Sequence, residues 1–168
     1  EGTYPLPEAQ LDRFMFNVVV DYLPENDEVA VVMRTTAGKG QAIEPVLSGA
    51  DVLAIHNLVR SVPVAEDLVR YAVQLASASR PRQAKTPDFV TEYVGWGAGL
   101  RAAQFLILGA KARALIDNRA HVNVEDIKQL AGPVLRHRIL TNYRAEAAGV
   151  TVEQVIQRLL ENVKAPGQ

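Results

Sequence analysis

The stretch Gly97-Ala-Gly-Leu-Arg101-Ala-Ala-Gln-Phe105-Leu-Ile-Leu-Gly-Ala110-Lys-Ala-Arg-Ala-Leu115-Ile-Asp-Asn-Arg119 reads as one long helix. Leu100, Ala103, Ile107, Ala110 and Ala114 recur at three- and four-residue steps, and Phe105, Leu108, Ala112, Leu115 and Ile116 fill a second stripe beside them. A helix apolar on so many sides belongs at the centre of a bundle, with partners on at least two faces. Its first turn carries Arg101 and no acid. A helix N-terminus already favours anions through its unpaired amides and its dipole, so a cation there calls for something negative nearby.

Outward from this helix the chain reads as further helices. On the N-terminal side, Pro24, Glu25, Asp27 and Glu28 open a helix with Val29, Val32 and Met33 on its apolar face, and Ser48 with Asp51 forms a capping box before Val52, Ile55 and Val59. Glu66 and Asp67 start another, whose Leu68, Ala72, Leu75, Ala76 and Ser79 mark a buried face until Arg80-Pro81 stops it. A brief helix from Asp88 to Val94 leads into the glycines at 95, 97 and 99. Beyond Arg119, Asn123 with Asp126 caps a helix that Gly132-Pro133 is expected to break, with Val134 to Ile139 resuming it. Thr151 with Gln154 caps a last amphipathic helix, and residues 165–168 are expected to fray.

One run breaks the helical pattern. Met15 to Tyr22, centred on Val18, Val19 and Val20, reads as a single β-strand after a short helix that begins at Pro7 or Glu8. A lone strand leaves its backbone groups unpaired, so the expectation is that its partners lie upstream of Glu1 in a sheet-containing domain. The absence of an initiator methionine suggests a processed product or an excised fragment. The alternative is an extended arm packed on the helices.

Composition narrows the function. Eighteen Lys plus Arg against nineteen Asp plus Glu give no general pull toward polyanions, and no basic stripe with interleaved aromatics suggests nucleic-acid binding. Without cysteine there are no disulfides or thiolate metal sites, which fits a reducing, cytoplasmic setting. His56, His121 and His137 lack ligand spacing, so no metal site is expected. No apolar run reaches membrane-spanning length. Among the charged side chains Arg13 and Arg101 stand out by position. By residue type alone each is a solvated charge or the partner of a carboxylate such as Asp12 or Glu92.

Glu-Gly-Thr-Tyr-Pro-Leu-Pro-Glu-Ala-Gln-Leu-Asp-Arg-Phe at residues 1–14 resembles the segment that follows the first sensor strand in MoxR-type ATPases of the AAA+ class. Residues 64–81, ending Ser-Ala-Ser-Arg-Pro, and residues 97–139, with Gly-Ala-Gly-Leu-Arg-Ala and Val-Leu-Arg-His-Arg-Ile, resemble the same family. The resemblance implies a mainly α chain: a helical-bundle AAA+ lid over residues 25–168, preceded in residues 1–24 by a short helix and one strand from an α/β P-loop ATPase core. It implies that Arg13 is the arginine finger, reaching ATP held by the neighbouring subunit of a homo-oligomeric ring. It implies that Arg101 is the second sensor arginine, touching the γ-phosphate bound by its own subunit. ATP and Mg2+ would be the cofactors of the intact protein, and clients would include proteins with von Willebrand factor A domains. Where the family has Gly-Ala-Ser-Pro-Arg-Ala this chain has Gly97-Ala98-Gly99-Leu100-Arg101-Ala102, without the capping Ser and the first-turn Pro. Arg136, His137 and Arg138 match a family-like run to which no chemistry is assigned, and Tyr93 and Trp96 are expected to pack between sensor loop and lid. The chain contains no Gly-x-x-x-x-Gly-Lys-Ser/Thr loop and no apolar strand ending in paired acids. These 168 residues alone are therefore expected to show no ATP turnover. The alternative function is a nucleotide-independent helical adaptor.

Overall fold

The structure, a computed structural model, describes residues 6–38 and 43–167. The opening residues of the family-like segment and the middle of the loop at 37–44 lie outside these. The described chain divides into two compact units, one formed by its N-terminal residues through Asn17 together with Asn57 onward, the other by Val18–His56.

The larger unit is built on helices α4 (Glu66–Ala78), α6 (Leu100–Ile116) and α7 (Val124–Leu135), with α6 packed against both others. This is the central helix the sequence predicts. Its buried line, however, runs through Ala102, Ala103, Leu106, Gly109, Ala110 and Ala114, while Leu100 and Ile116 are exposed. Small residues let neighbouring elements approach closely. A Cβ on Gly109 would stand 2.8 Å from Leu130 Cδ1 and 3.2 Å from Met15 Cε. On α4 the buried face is the expected one, Leu68, Ala72, Leu75, Ala76 and Ser79, joined by Tyr71.

Shorter elements complete the unit: α1 (Glu8–Leu11), α5 (Asp88–Tyr93), β1 (Val94–Trp96), β2 (Leu140–Thr141), α8 (Tyr143–Ala148) and α9 (Val152–Asn162). The antiparallel pair β1–β2, with Val94 opposite Thr141 and Trp96 opposite Leu140 around a bulge, is too short to leave a period in the sequence. Both predicted capping boxes are present: Asn123 with Asp126 starts α7 and Thr151 with Gln154 starts α9. Asn142 caps α8 through the amides of Arg144 and Ala145, and Gly149 closes it in the left-handed region at φ 67°.

Two sequence expectations are corrected here. Gly132-Pro133 does not break α7, which runs through to Leu135. A proline crowds the Cβ and amide of the residue before it and the carbonyl four residues back; Gly132 removes the Cβ part, and the burial of Ala131, Val134 and Leu135 on either side of Pro133 favours the helix against the rest. At the C-terminus, Ala165 is buried against the core rather than frayed.

The smaller unit holds α2 (Glu25–Thr36), and α3 (Gly49–Ser61) spans its boundary. Ser48 and Asp51 form the expected reciprocal cap. Neither helix has a buried residue, so Val29, Val32, Met33, Val52 and Ile55 are exposed. The stretch Met15–Tyr22 forms no ladder with any described residue, and Val18, Val19 and Val20 are exposed. A β-branched run makes a strand only where a second strand takes up its hydrogen bonds.

Candidate functional site

The residues singled out from the sequence converge on the segment after α1. Arg13 lies in the turn that ends this helix: its amide bonds the carbonyl of Gln10 at 3.2 Å, and the next amide, Phe14, bonds Leu11 at 3.1 Å. Its side chain is exposed and makes no ion pair or hydrogen bond among the described residues. Beside it, the Asp12 carboxylate faces two arginines. One oxygen receives Arg101 Nη1 and the other receives Arg138 Nε at 2.9 Å. Arg101 sits in the first turn of α6, as the sequence places it, and the anion its position calls for is Asp12 of the same chain.

Arg138 is the residue that sequence reasoning missed. The sequence assigns it no chemistry, yet its side chain is only 2% exposed and pairs with Asp12. A guanidinium has five N–H donors in a rigid fork, and burying one without partners is costly. Here all five are taken. Besides the Asp12 carboxylate they reach the carbonyls of Asp12 at 2.8 Å, Phe14 at 2.6 Å, Met15 at 3.4 Å and Val134. Phe105 lies under the guanidinium, 5.0 Å from ring centre to Cζ. Burial pushes the Arg138 pKa below its ordinary value, against the pull of Asp12.

Its two neighbours hold the same segment. His137 Nε2 donates to the Phe14 carbonyl at 3.1 Å, while Nδ1 is buried without a partner among the described residues. That bond assigns the Nε2–H tautomer. Burial, and then the charge of Arg138, lowers the His137 pKa from its ordinary value, so the ring is held neutral. Arg136 donates to the Asn17 carbonyl at 2.8 Å and pairs with Glu153 at 2.7 Å, and the Asn17 amide bonds the Pro133 carbonyl at 2.8 Å. The run Arg136-His137-Arg138 thus grips residues 12–17 by their main-chain oxygens. The only trace of this in the sequence is three hydrogen-bonding side chains in succession at a helix end, since main-chain acceptors carry no residue signature.

A cleft of about 540 Å3 opens beside this segment, lined by Glu8, Ala9, Asp12, Trp96, Gly97, Gly99, His137, Arg138 and Leu140. Trp96 is 69% exposed at its edge, a correction to its expected packing role, because β1 turns the indole outward from the core. The loop from β1 to α6 is fixed against the end of α4. Ala98 N donates to the Ser79 hydroxyl at 2.9 Å, and Arg80 Nε donates to the Ala98 carbonyl at 2.7 Å. A Cβ on Gly97 would stand 2.6 Å from Arg80 Cα, so glycine is required there for close approach. Gly99 then caps α6 with no side-chain hydrogen bond, as its loss of a hydroxyl predicts.

A second ionic cluster lies between the end of α6 and the start of α7. Asp126, 1% exposed, accepts Arg119 Nη1 at 2.8 Å and the Asn123 amide at 2.9 Å, with Arg113 Nε at 3.5 Å. Burial raises the Asp126 pKa, but the Arg119 bonds, the amide and the charges of Arg119 and Arg113 outweigh it, leaving the carboxyl below its ordinary value. Nothing in this closed cluster opens toward the cleft, and its work is to join two helices. Among the described residues no group of three acids or histidines is placed to hold a metal ion, and no helix is long and apolar enough to cross a membrane.

Comparison with known proteins places the fold. Residues 88–159 match the AAA lid domain family. The chain is 35% identical to the chaperone MoxR1 of Mycobacterium tuberculosis over 166 residues, covering 99% of this chain and 44% of that protein. It is 31% identical to the uncharacterized protein YeaC of Bacillus subtilis, covering all of this chain and 50% of that one. A crystal structure of a candidate ATPase from Cytophaga hutchinsonii superimposes with a TM-score of 0.91 at 39% identity, over 98% of this chain and 50% of that one. The chain therefore spans about half the length of the relatives it matches. Taken with the helical bundle around α6, these similarities show that the chain carries the AAA lid fold and support its reading as part of a MoxR-type AAA+ protein.

Proposed function

We propose that this chain works within a ring-forming AAA+ ATPase that uses ATP to remodel or activate client proteins, with Arg13 as the arginine finger and Arg101 as the sensor arginine. The observation that carries the reading is the pairing of opposites around Asp12: an exposed Arg13, without a partner among the described residues, on a tightly held backbone, and a first-turn Arg101 held by a carboxylate. The residues present fit a phosphate contact. Arg101 has a side chain 45% exposed, donors beyond the one facing Asp12, and no side chain on Gly99 to cover the first-turn amides. They do not make a complete nucleotide site, because the chain has no P-loop and no paired-acid strand.

Bound ATP with Mg2+ would supply the transferable phosphoryl group. Arg13 would then place its guanidinium against the nucleotide of the neighbouring subunit and stabilise charge spreading over the transferring group, an effect worth about a thousandfold or more in rate. Arg101 would meet the phosphate of its own subunit with the donors that do not face Asp12, or by exchanging Asp12 for it. Clients with von Willebrand factor A domains, which rest on the family resemblance, and a cytoplasmic location, which the lack of cysteine fits, are part of this proposal.

The test uses the intact ring protein. Arg13→Ala should abolish turnover and spare binding of an ATP analogue, and mixing it with subunits lacking the P-loop lysine should restore turnover. Arg101→Ala should weaken analogue binding and should not be rescued by mixing. The pairing of Arg101 with Asp12 also supports a second reading, an adaptor in which Arg101 serves structure alone. That reading gains if Arg101→Ala leaves the nucleotide response untouched, and absence of rescue for Arg13→Ala in confirmed mixed rings would remove the finger.

A further inference from the structure

We infer that Arg138 is the positioning residue for Arg13, setting from within the lid the direction in which the finger leaves its own subunit. The inference rests on the finger reading above. It begins from what is fixed around Arg13. The peptide plane before its Cα is tied at both ends, by the Arg13 amide to Gln10 and by the Asp12 carbonyl to Arg138 Nη2. The plane after it is tied by the Phe14 amide to Leu11. One residue on, the Phe14 carbonyl receives Arg138 Nη2 and His137 Nε2 together. Arg13 is therefore held on a backbone with both neighbouring planes anchored, while its own side chain stays exposed.

The choice of residue supports positioning over plain cohesion. A buried ion pair with Asp12 would need only one edge of the guanidinium. Here the rest of the fork goes to main-chain oxygens on either side of Arg13 and to Val134, which joins the finger segment to the end of α7. A planar fork fixes direction as well as distance, and a lysine ammonium at the same place would supply three donors from one point. Positional error matters in such a role, since about 1 Å of misplacement costs about a hundredfold in rate.

Arg138→Gln and Arg138→Lys in the intact ring protein test this. Turnover should fall about a hundredfold for Gln and by less for Lys, with analogue affinity within about twofold of wild type. The defect should behave as one acting in trans: mixing with subunits that lack the P-loop lysine restores turnover, as it does for Arg13→Ala and as it does not for Arg101→Ala. Independently of turnover, amide exchange of residues 13–17 in nucleotide-free protein should quicken about tenfold or more, while amides around Leu106 keep their protection. If Arg138→Gln does not fold, Arg138→Lys, which keeps the charge, carries every arm. Rescue of Arg13→Ala without rescue of the Arg138 variant, or unchanged exchange at residues 13–17, overturns the inference and leaves the finger in place. If Arg13→Ala itself keeps its turnover, the finger reading falls and the inference falls with it.

Discussion

Replacing Asp126 by Ala removes a carboxylate that works in two places at once. At the start of α7 it completes the capping box with Asn123, an interaction worth about 1 kcal/mol. Across to the end of α6 it receives Arg119 through both oxygens, with Arg113 nearby, and hydrogen bonds to charged groups contribute about 1.5–3 kcal/mol. Breaking a fully buried pair costs about 3–5 kcal/mol, but Arg119 is 27% exposed and keeps Asp117 at 3.0 Å, so its stranded charge is partly relieved. The expected loss at neutral pH is about 2–4 kcal/mol, measured as a shift in the urea midpoint at constant slope. Its pH dependence gives a second check. The folded Asp126 pKa lies below the unfolded value of 3.8, so the unfolded chain binds the proton first. The stabilisation is complete above 3.8 and is lost as pH falls through the folded value, so the gap between wild type and Asp126→Ala should close there. A neutral-pH loss below about 1 kcal/mol, or a gap that stays constant into acid, would show that burial cancels the ion pair.

Gly97→Ala should destabilise the larger unit by about 1–3 kcal/mol, because the new Cβ meets the backbone of Ser79 and Arg80, which cannot swing aside. Trp96, the single tryptophan, is adjacent, so its emission should report the displaced loop before global unfolding. For His137 the folded pKa lies below 6.5, so the unfolded chain takes up the proton first and stability should decline as pH falls from 6.5 toward the folded value, then level off. His137→Gln keeps a donor for the Phe14 carbonyl and should flatten that slope in urea titrations. An unaltered slope would assign it to another group.

Local chemistry was the part of this structure that the sequence disclosed well. Asn123 with Asp126, Thr151 with Gln154 and Ser48 with Asp51 all cap as their spacing predicts, because a capping box involves only neighbours three residues apart. The face of α4 was legible for the same reason. On α6 the periodic reading placed Ala103, Ala110 and Ala114 correctly in the buried line but also placed Leu100 and Ile116 on the apolar stripes, where they are exposed, since what decides burial there is how near α4 and α7 can come. Gly132-Pro133 misled because each residue alone disfavours a helix, while together the glycine relieves part of the proline's crowding and burial on either side favours the helix. Position and resemblance single out Arg13 and Arg101 in the sequence. Arg138 does not stand out in this way, because all but one of the carbonyls it holds belong to residues more than a hundred positions away, and any residue supplies a carbonyl.

The departure of Gly99 and Leu100 from the family pattern bears on how Arg101 is oriented. A serine cap and a first-turn proline would fix the start of α6 locally, and this chain has neither. The orientation is supplied from elsewhere. The loop before the helix is bonded to Ser79 and Arg80, and the guanidinium itself is bonded to Asp12. Asp12 is in turn anchored by Arg138, whose fork also holds the carbonyls around Arg13. An arginine that looks loosely mounted in sequence is thus tethered through one carboxylate to the same buried residue that braces the other arginine. The coupling has a direction: an anion that draws Arg101 away removes one of the two arginines on Asp12 and leaves the grip of Arg138 on the backbone intact. The start of α6 can therefore respond to such an anion while the segment that bears Arg13 keeps its shape.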